Sequence, residues 1–483
     1  MTMADPAPEK KQRKSIREIS PIDVYKLLPK TNCGECGEAN CMAFATRLVN
    51  GELVISGCPP LHSVEYHGAF GELSRLMEPP VRTVTLGTGN HSISIGGKYV
   101  LQRHDFTYHN PAPIAIDVND LMPEAELLER VRQIEAFSYN YIGRTLVLNA
   151  IAIRSVSGDP GIFGAAVKKV AAASHLPFIL CSLDPAVMEA GLREAANRRP
   201  LIYAATEKNW KQMADLALAH NAPLAVFAPG DLGLLRTLAG TLMACGVHDL
   251  VLDPGTFTEG GLSETIANFT AIRAAATKNF DELFGFPILG VPLTVWTGEE
   301  LSEDVLKWRE ATAASMLLSR YADLLIMHSL DGWVLLPQLI WRFSLYTDPR
   351  KPVSVEAGVK TFGRPDHTSP VLITTNYALT YFTVESDIKA ANLDCYLIVA
   401  DTGGLSVESA VAGRYFTADS VANALKTYNI AALVSHNILI IPGLAARLSG
   451  ETEESTGWRI LVGPKDSSGI SQFLRDHWPP AAE

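Results

Sequence analysis

The order of apolar runs predicts an α/β protein of three parts: a small cysteine-rich N-terminal domain, a central (β/α)8 TIM barrel, and a C-terminal doubly wound α/β domain. Three observations carry this. Four cysteines crowd into one N-terminal stretch. Eight short apolar runs then alternate with amphipathic helices over about 250 residues, the size and rhythm of an eightfold barrel. Four more strand-helix units follow a segment rich in Pro and Gly.

The N-terminal region, residues 1–18, is a basic tail in which Lys10, Lys11, Arg13, Lys14 and Arg17 read as a solvated charge run. Residues 19–78 form the cysteine-rich domain. Ser20 is placed to cap a helix that has Pro21 at its first position, where the missing N–H costs nothing. Cys33, Cys36, Cys41 and Cys58 follow in the spacing C-x2-C-x4-C-x16-C. Thiolates are soft donors that suit iron-sulfur cubanes and zinc, so these four form the ligand set of a four-iron cluster, with tetrahedral zinc the competing reading. A short helix from Cys41 to about Asn50 places Cys41 at a helix N-terminus, where the dipole favours thiolate charge. Cys181, Cys245 and Cys395 are scattered in apolar runs and read as core.

Barrel strands are expected at PIAIDV from Pro113, TLVLNAIAI from Thr145, PFILC from Pro177, PLIYAA from Pro200, PLAVFA from Pro223, DLVLD from Asp249, FPILGV from Phe286 and DLLIM from Asp323, within a barrel spanning 93–350. Asp117, Asn119, Arg154, Asp184 and Asp253 fall near strand ends, where barrel sites assemble; caps and turns are the preferred reading for them. Residues 351–370 read as a linker, and residues 371–483 as the α/β domain, with strands at VLITT, DCYLIVA, ILIIP and RILVG. In such sheets ligands lie beyond the carboxyl ends of the strands, here TTNYALT, DTGGLS, IPGLAARLSG and VGPKDSSG. Small and hydroxylic residues let backbone amides approach a polar ligand, yet the same glycines also make tight turns and Ser467 or Ser468 a helix cap. The loops alone leave site and turn both open.

A net charge of -11 argues against nonspecific nucleic-acid binding. No apolar run reaches the roughly 18 residues of a membrane helix, and the N-terminus lacks the apolar centre of a secretory signal. A cytoplasmic, reducing setting is expected, with thiols available for metal.

The segments TNCGECGEANCMAFA, GCPPL, PLIYAATEKNW, LDPGTF, YTDPRKPVSVE, TTNYALTYFTVESDI, AGRYFTADSVANALK, IPGLAARLSGE and VGPKDSSGI together resemble the large (gamma) subunit of the corrinoid iron-sulfur protein, in its archaeal acetyl-CoA decarbonylase/synthase form. The resemblance runs nearly end to end. It implies a methyl carrier: corrinoid cobalt accepts a methyl group from a methyl-tetrahydropterin and passes it to a nickel-iron-sulfur site, while one [4Fe-4S] cluster restores oxidised cobalt. It further implies that the corrinoid (a cobamide) rests on the C-terminal domain under a small (delta) subunit, in a complex with acetyl-CoA synthase and carbon monoxide dehydrogenase subunits. An iron-sulfur electron-transfer or structural subunit without corrinoid is the alternative. The D-x-H-x-x-G motif, whose histidine ligates cobalt in many corrinoid proteins, does not occur in the chain; His367 and His436 read as surface or structural. Corrinoid contacts are therefore expected from backbone and small side chains at Thr374, Asn376, Ala378, Thr380, Gly403, Leu405, Ser406, Gly443, Ala446, Gly463, Ser467 and Ser468. Segments 78–91 and 351–370 carry the Pro and Gly expected of hinges.

Overall fold

The computed structural model describes residues 14–479 except 107, 196, 259, 299–300 and 346–351. Lys10, Lys11 and Arg13 of the basic run lie outside the described residues. The chain divides into two compact units, residues 1–139 with 146–348 and residues 140–145 with 349–483.

In the first unit, Ser20 caps the helix Pro21–Leu27 by accepting from the Asp23 N–H, and Pro21 opens it. Arg17 is not a free tail residue: its Nη2 lies 2.7 Å from Asp105 Oδ1. The helix Cys41–Val49 turns Phe44, Ala45 and Leu48 inward against Val24, Leu28, Leu61 and Leu73, while Met42 faces out. β1 (Val81–Thr88) and β2 (His91–Lys98) then form an antiparallel hairpin, so segment 78–91 is mostly strand rather than hinge. Its Val84, Leu86 and Ile95 are buried among inward-facing barrel residues, and Arg82 N and Gly87 N donate to Gly285 O and Arg199 O at the strands' amino ends. The hairpin thus closes the amino end of the barrel, and the first barrel strand is the next element.

Eight parallel strands follow in the predicted places: β3 (Ile114–Asn119), β6 (Ala150–Arg154), β7 (Phe178–Cys181), β8 (Leu201–Ala205), β9 (Leu224–Phe227), β10 (Leu250–Asp253), β11 (Leu289–Gly290) and β12 (Leu324–Met327). The run from Thr145 divides, because β4 (Ser138–Tyr141) and β5 (Arg144–Val147) make a separate two-stranded sheet ahead of β6. The sheet order β10-β9-β8-β7-β6-β3-β12-β11 closes through a parallel bridge between Leu252 and Ile288. Alternation splits each strand between two cores. Ile114, Ile116, Val118, Ile151 and Ile153 pack outward on the helices, whereas Ala115, Ala150, Ala152 and Ile179 fill the interior. Small interior residues leave room for the plugging hairpin.

The second unit holds a five-stranded sheet ordered β13-β15-β14-β16-β17, built from β13 (Gly358–Phe362), β14 (Val371–Thr375), β15 (Cys395–Ala400), β16 (Ile438–Ile441) and β17 (Arg459–Val462). β13 pairs antiparallel with β15, so the segment expected as a linker supplies an edge strand. The other four strands are parallel, with the order reversing between β14 and β16. That reversal is the topological switch point where open α/β sheets present a crevice. The helix Val407–Ala412, not expected from the sequence, stands beside it.

Candidate functional site

The cysteine loop owes its course to backbone chemistry. Gly34 and Gly37 adopt φ of +76° and +82°, a region that side chains disfavour, and fold the loop tightly before the helix. Asn40 caps that helix by accepting from Ala43 N, and Asn32 Oδ1 accepts from Cys41 N at 2.9 Å, tying the loop to the helix start. Cys41 and Cys58 are buried, Cys36 half-buried and Cys33 exposed, and all four are free thiols. Burial raises the Cys58 thiol above its ordinary range; a hydrogen bond with the Leu61 backbone opposes this, and Cys36, Cys41 and Cys33 add to it. No three His, Cys, Asp or Glu side chains among the described residues are set to hold a metal ion. As a donor set, four thiolates with one at a helix N-terminus fit an iron-sulfur cluster.

The other three cysteines differ from one another. Burial pushes Cys181 and Cys395 up to about 12, which makes them inert thiols. Cys245 is exposed at the end of the helix Leu232–Ala244, and its assignment to the core is corrected.

In the second unit, a cavity of about 420 Å³ opens at the carboxyl ends of β14, β16 and β17. Leu372, Leu397 and Ile440 supply apolar strand side chains, and exposed Leu379 and Leu444 stand on the first turn of the helix Ala378–Ala390 and on the short 3-10 helix Gly443–Leu448. Thr374, Thr380, Ser406, Gly463 and Ser467, all expected from the sequence, line it. Thr383, Glu408 and Lys465 also line it and were not expected; the signal was their place one helical turn or two positions from expected residues. Ionisable lining groups among the described residues are Glu408, Lys465 and Asp466, all exposed to water. Such a surface binds and orients, but it holds no buried acid or base.

The remaining expected residues sit outside this lining. Asn376 is buried: its Oδ1 accepts from Thr402 N, Thr402 Oγ1 and Gly404 N, each at 3.0 Å, and its Nδ2 donates to Asp401 Oδ1 at 3.0 Å. It organises the loop after β15 and leads into Ser406. Ala378 is buried with its N–H donating to Val353 O, and Gly403 donates to Asp401 Oδ1. Leu405 packs on the domain core, Ala446 is exposed, and the Ser468 N–H donates to Asp466 Oδ1. Gly443 lies under its neighbour: a Cβ there would meet Gly463 O, Lys465 N and Pro464 C at 2.7 Å. Its smallness serves loop-on-loop packing. His436 Nε2 lies 3.0 Å from Ser369 O and its Nδ1 accepts from Ile438 N, which places it before β16. The His367 carbonyl accepts from Ser435 N, before β14. Both histidines thus belong to the amino ends of the strands, opposite the cavity.

The barrel's carboxyl end carries a separate polar network. Asn119 and Asp184 make the expected turn and cap. Asp117 does neither: it is buried, accepts from Arg154 Nε at 2.7 Å and lies 2.6 Å from His328 Nδ1, with Arg130 alongside. Burial opposes its charge, but His328, Arg154 and Arg130 together hold its carboxyl below the usual carboxylate range. Asp253 accepts from Tyr203 Oη and Gly255 N at 2.8 Å, and burial raises it to about 6. His328, Arg130 and Tyr203 were not expected, since their partners lie far away in sequence.

Comparison with known proteins bears on this arrangement. A family model described as "CO dehydrogenase/acetyl-CoA synthase delta subunit" matches residues 83–474, and one described as "Putative Fe-S cluster" matches residues 28–60, which include all four grouped cysteines. The acetyl-CoA decarbonylase/synthase complex subunit gamma of Methanosarcina acetivorans is 46% identical over 95% of this chain and 99% of its own, and that of Methanothermobacter thermautotrophicus 43% identical over 95% and 98%. Among solved structures, the dihydropteroate synthase of Thermus thermophilus is similar over 55% of this chain and 100% of its own, at 18% identity and a TM-score of 0.38. Fold and site define an α/β protein with an N-terminal Fe-S region, a (β/α)8 barrel and a C-terminal mixed sheet. The chain belongs to the family of acetyl-CoA decarbonylase/synthase complex gamma subunits.

Proposed function

We propose that this chain is the corrinoid-bearing, iron-sulfur methyl carrier of an acetyl-CoA decarbonylase/synthase complex. The observation that carries the reading is the C-terminal cavity, which joins an apolar strand floor to a rim of hydroxyl side chains and Gly463 at a topological switch point. Those residues fit an amphipathic ligand with a broad apolar face and amide-bearing arms. Leu372, Leu397 and Ile440 offer apolar contact, while Thr374, Thr380, Ser406 and Ser467 can exchange hydrogen bonds with amide groups. When bound, a corrinoid supplies a nucleophilic cobalt(I) that accepts a methyl group from a methyl-tetrahydropterin and yields it to the acetyl-CoA synthase site. The chain's own task is to seat, orient and partly desolvate that group. The His436 ring is engaged at the far end of the sheet and His367 lies at that same end, away from the cavity, which supports a lower cobalt face without a protein ligand.

In this reading Cys33, Cys36, Cys41 and Cys58 hold one [4Fe-4S] cluster, whose chemistry is one-electron transfer. A small (delta) subunit covers the open cavity as partner in a heterodimer, and acetyl-CoA synthase and carbon monoxide dehydrogenase subunits complete the complex. Among the described residues no helix is long and apolar enough to cross a membrane.

The test is a visible spectrum and metal analysis of anaerobically purified protein. Corrinoid bands should accompany broad cluster absorption, with about four iron and about one cobalt per chain. Cys36→Ala should lose iron and retain cobalt. Zinc without iron overturns the cluster; iron without corrinoid bands overturns the methyl-carrier reading in favour of an electron-transfer subunit.

A further inference from the structure

We propose that the outer face of two barrel helices, Glu303–Ser319 and Gly332–Leu345, is the seat of a second barrel, that of the complex's delta subunit. The chain has seven tryptophans, and the three that are exposed among the described residues all stand on these two helices: Trp308, Trp333 and Trp341, at 62%, 50% and 43% exposure. A surface helix ordinarily turns its charged residues outward. Gly332–Leu345 has a single charged residue, Arg342, and that one is buried.

Spacing sets the outward residues in two stripes. Trp308, Thr312 and Met316 recur every four residues on the first helix, and Trp333, Pro337 and Trp341 on the second. Lys307 Nζ lies 2.8 Å from Asp331 Oδ2, Ser315 Oγ donates to Gln338 Oε1 at 2.9 Å, and Trp341 Nε1 donates to Ser319 Oγ at 2.9 Å. These links climb both helices together, so the helices run parallel and the stripes lie side by side. Buried Glu310 accepts from Ser329 N at 3.0 Å, which fixes the first helix to the strand end behind it. The surface is therefore pre-formed, and docking on it costs little ordering entropy.

None of the stripe residues is charged; Glu303, Asp304 and the Lys307–Asp331 pair stand at one end and exposed Arg320 at the other. An uncharged, aromatic centre inside a charged rim is the anatomy of a protein interface. Taking about 250 Å² for a whole side chain, the three tryptophans alone leave on the order of 400 Å² in water, half of the roughly 800 Å² per partner that a stable pair buries. The occupant follows from the family model of the delta subunit, which matches residues 83–474 and so spans both helices. A delta subunit is thus built on the same barrel and brings an equivalent helix pair, so that the two meet face to face about an approximate two-fold axis. This choice of occupant rests on the delta partner proposed above.

Binding of the purified delta subunit to the full chain, with its cofactors in place, is measured by surface plasmon resonance, and stoichiometry by light scattering. A one-to-one pair is expected. Trp308→Glu and Trp333→Glu should each weaken it by about thirtyfold, the effect of losing a buried aromatic anchor, with iron and corrinoid content unchanged. Leu218→Glu, at an exposed apolar position on the barrel helix Trp210–Ala219, should bind as wild type. Hydroxyl-radical footprinting of the unmutated chain tests the same face: oxidation of Trp308, Trp333 and Trp341 should fall by more than half when the delta subunit is added. Tight binding that both tryptophan variants leave unchanged, or tryptophans that oxidise equally in the complex, overturns this face and spares the partner reading; no binding at all overturns both. A homodimer of the full chain that these variants make monomeric overturns the choice of occupant. Absence of corrinoid bands with the tryptophan dependence intact strikes the methyl-carrier reading and leaves the docking face standing.

Discussion

Replacing Asn376 with Leu keeps the approximate volume of a buried side chain and removes four hydrogen bonds at once. Thr402 N, Thr402 Oγ1 and Gly404 N lose their shared acceptor, and Asp401 Oδ1 loses one donor. Asp401 is exposed and Thr402 Oγ1 retains Leu405 O, so water and that second partner cover two of the losses. The two backbone N–H groups are buried and have nowhere to turn. Each costs about 1–3 kcal/mol when left unsatisfied, giving about 3 kcal/mol for the pair after partial relaxation. On a unit of this size that lowers the midpoint of thermal unfolding by about 10 °C. Hydrogen exchange in the full chain localises the effect: amides of the loop 401–406 and of the helix Val407–Ala412 should lose protection, while barrel amides should not. Because Ser406, Val407 and Glu408 line the cavity, corrinoid content should fall with iron content unchanged. Wild-type protection across 401–412 in Asn376→Leu would refute the assignment of this side chain as the organiser of the loop.

Three further outcomes are expected. Gly443→Val should lower both corrinoid content and the unfolding midpoint of the second unit, because its Cβ meets backbone atoms of the next loop, whereas Thr380→Trp on the cavity wall should lower corrinoid content alone. Asp253 has a folded pKa of about 6, above its unfolded value of 3.8, so the fold binds more protons between these limits. Stability measured against Asp253→Asn should therefore decline as pH rises from about 4 to about 6, and a flat difference would contradict the burial argument. Electron paramagnetic resonance of the cobalt(II) state should lack nitrogen superhyperfine splitting, with His436→Ala leaving the spectrum unchanged; splitting that disappears in that variant would make His436 a cobalt ligand.

By itself the sequence determined the eight barrel strands, the four parallel strands of the second unit and the grouping of the cysteines, because local signals carry these features. Period-two and unbroken apolar runs mark strands, Ser20 marks a helix start, and four thiols within a short span report their own proximity. Only the tertiary structure decided what depends on partners distant in sequence. Segment 78–91, which holds β1, reads as a hinge by its Pro and Gly content and residues from 93 on as barrel, yet β1 and β2 pair into a hairpin that plugs the barrel because the small interior residues of β3 and β6 leave space there. β13 is a strand only because β15 offers it an unpaired edge. Asp117 meets His328 across 211 positions, and no local pattern announces that contact. The loops of the second unit illustrate both halves: their glycines and hydroxyls marked the right end of the sheet, but Thr374 and Ser467 reach the cavity while Asn376 and Gly443 spend their chemistry holding neighbouring loops in place. Composition specifies which residues can approach a ligand; packing against non-local backbone selects those that do.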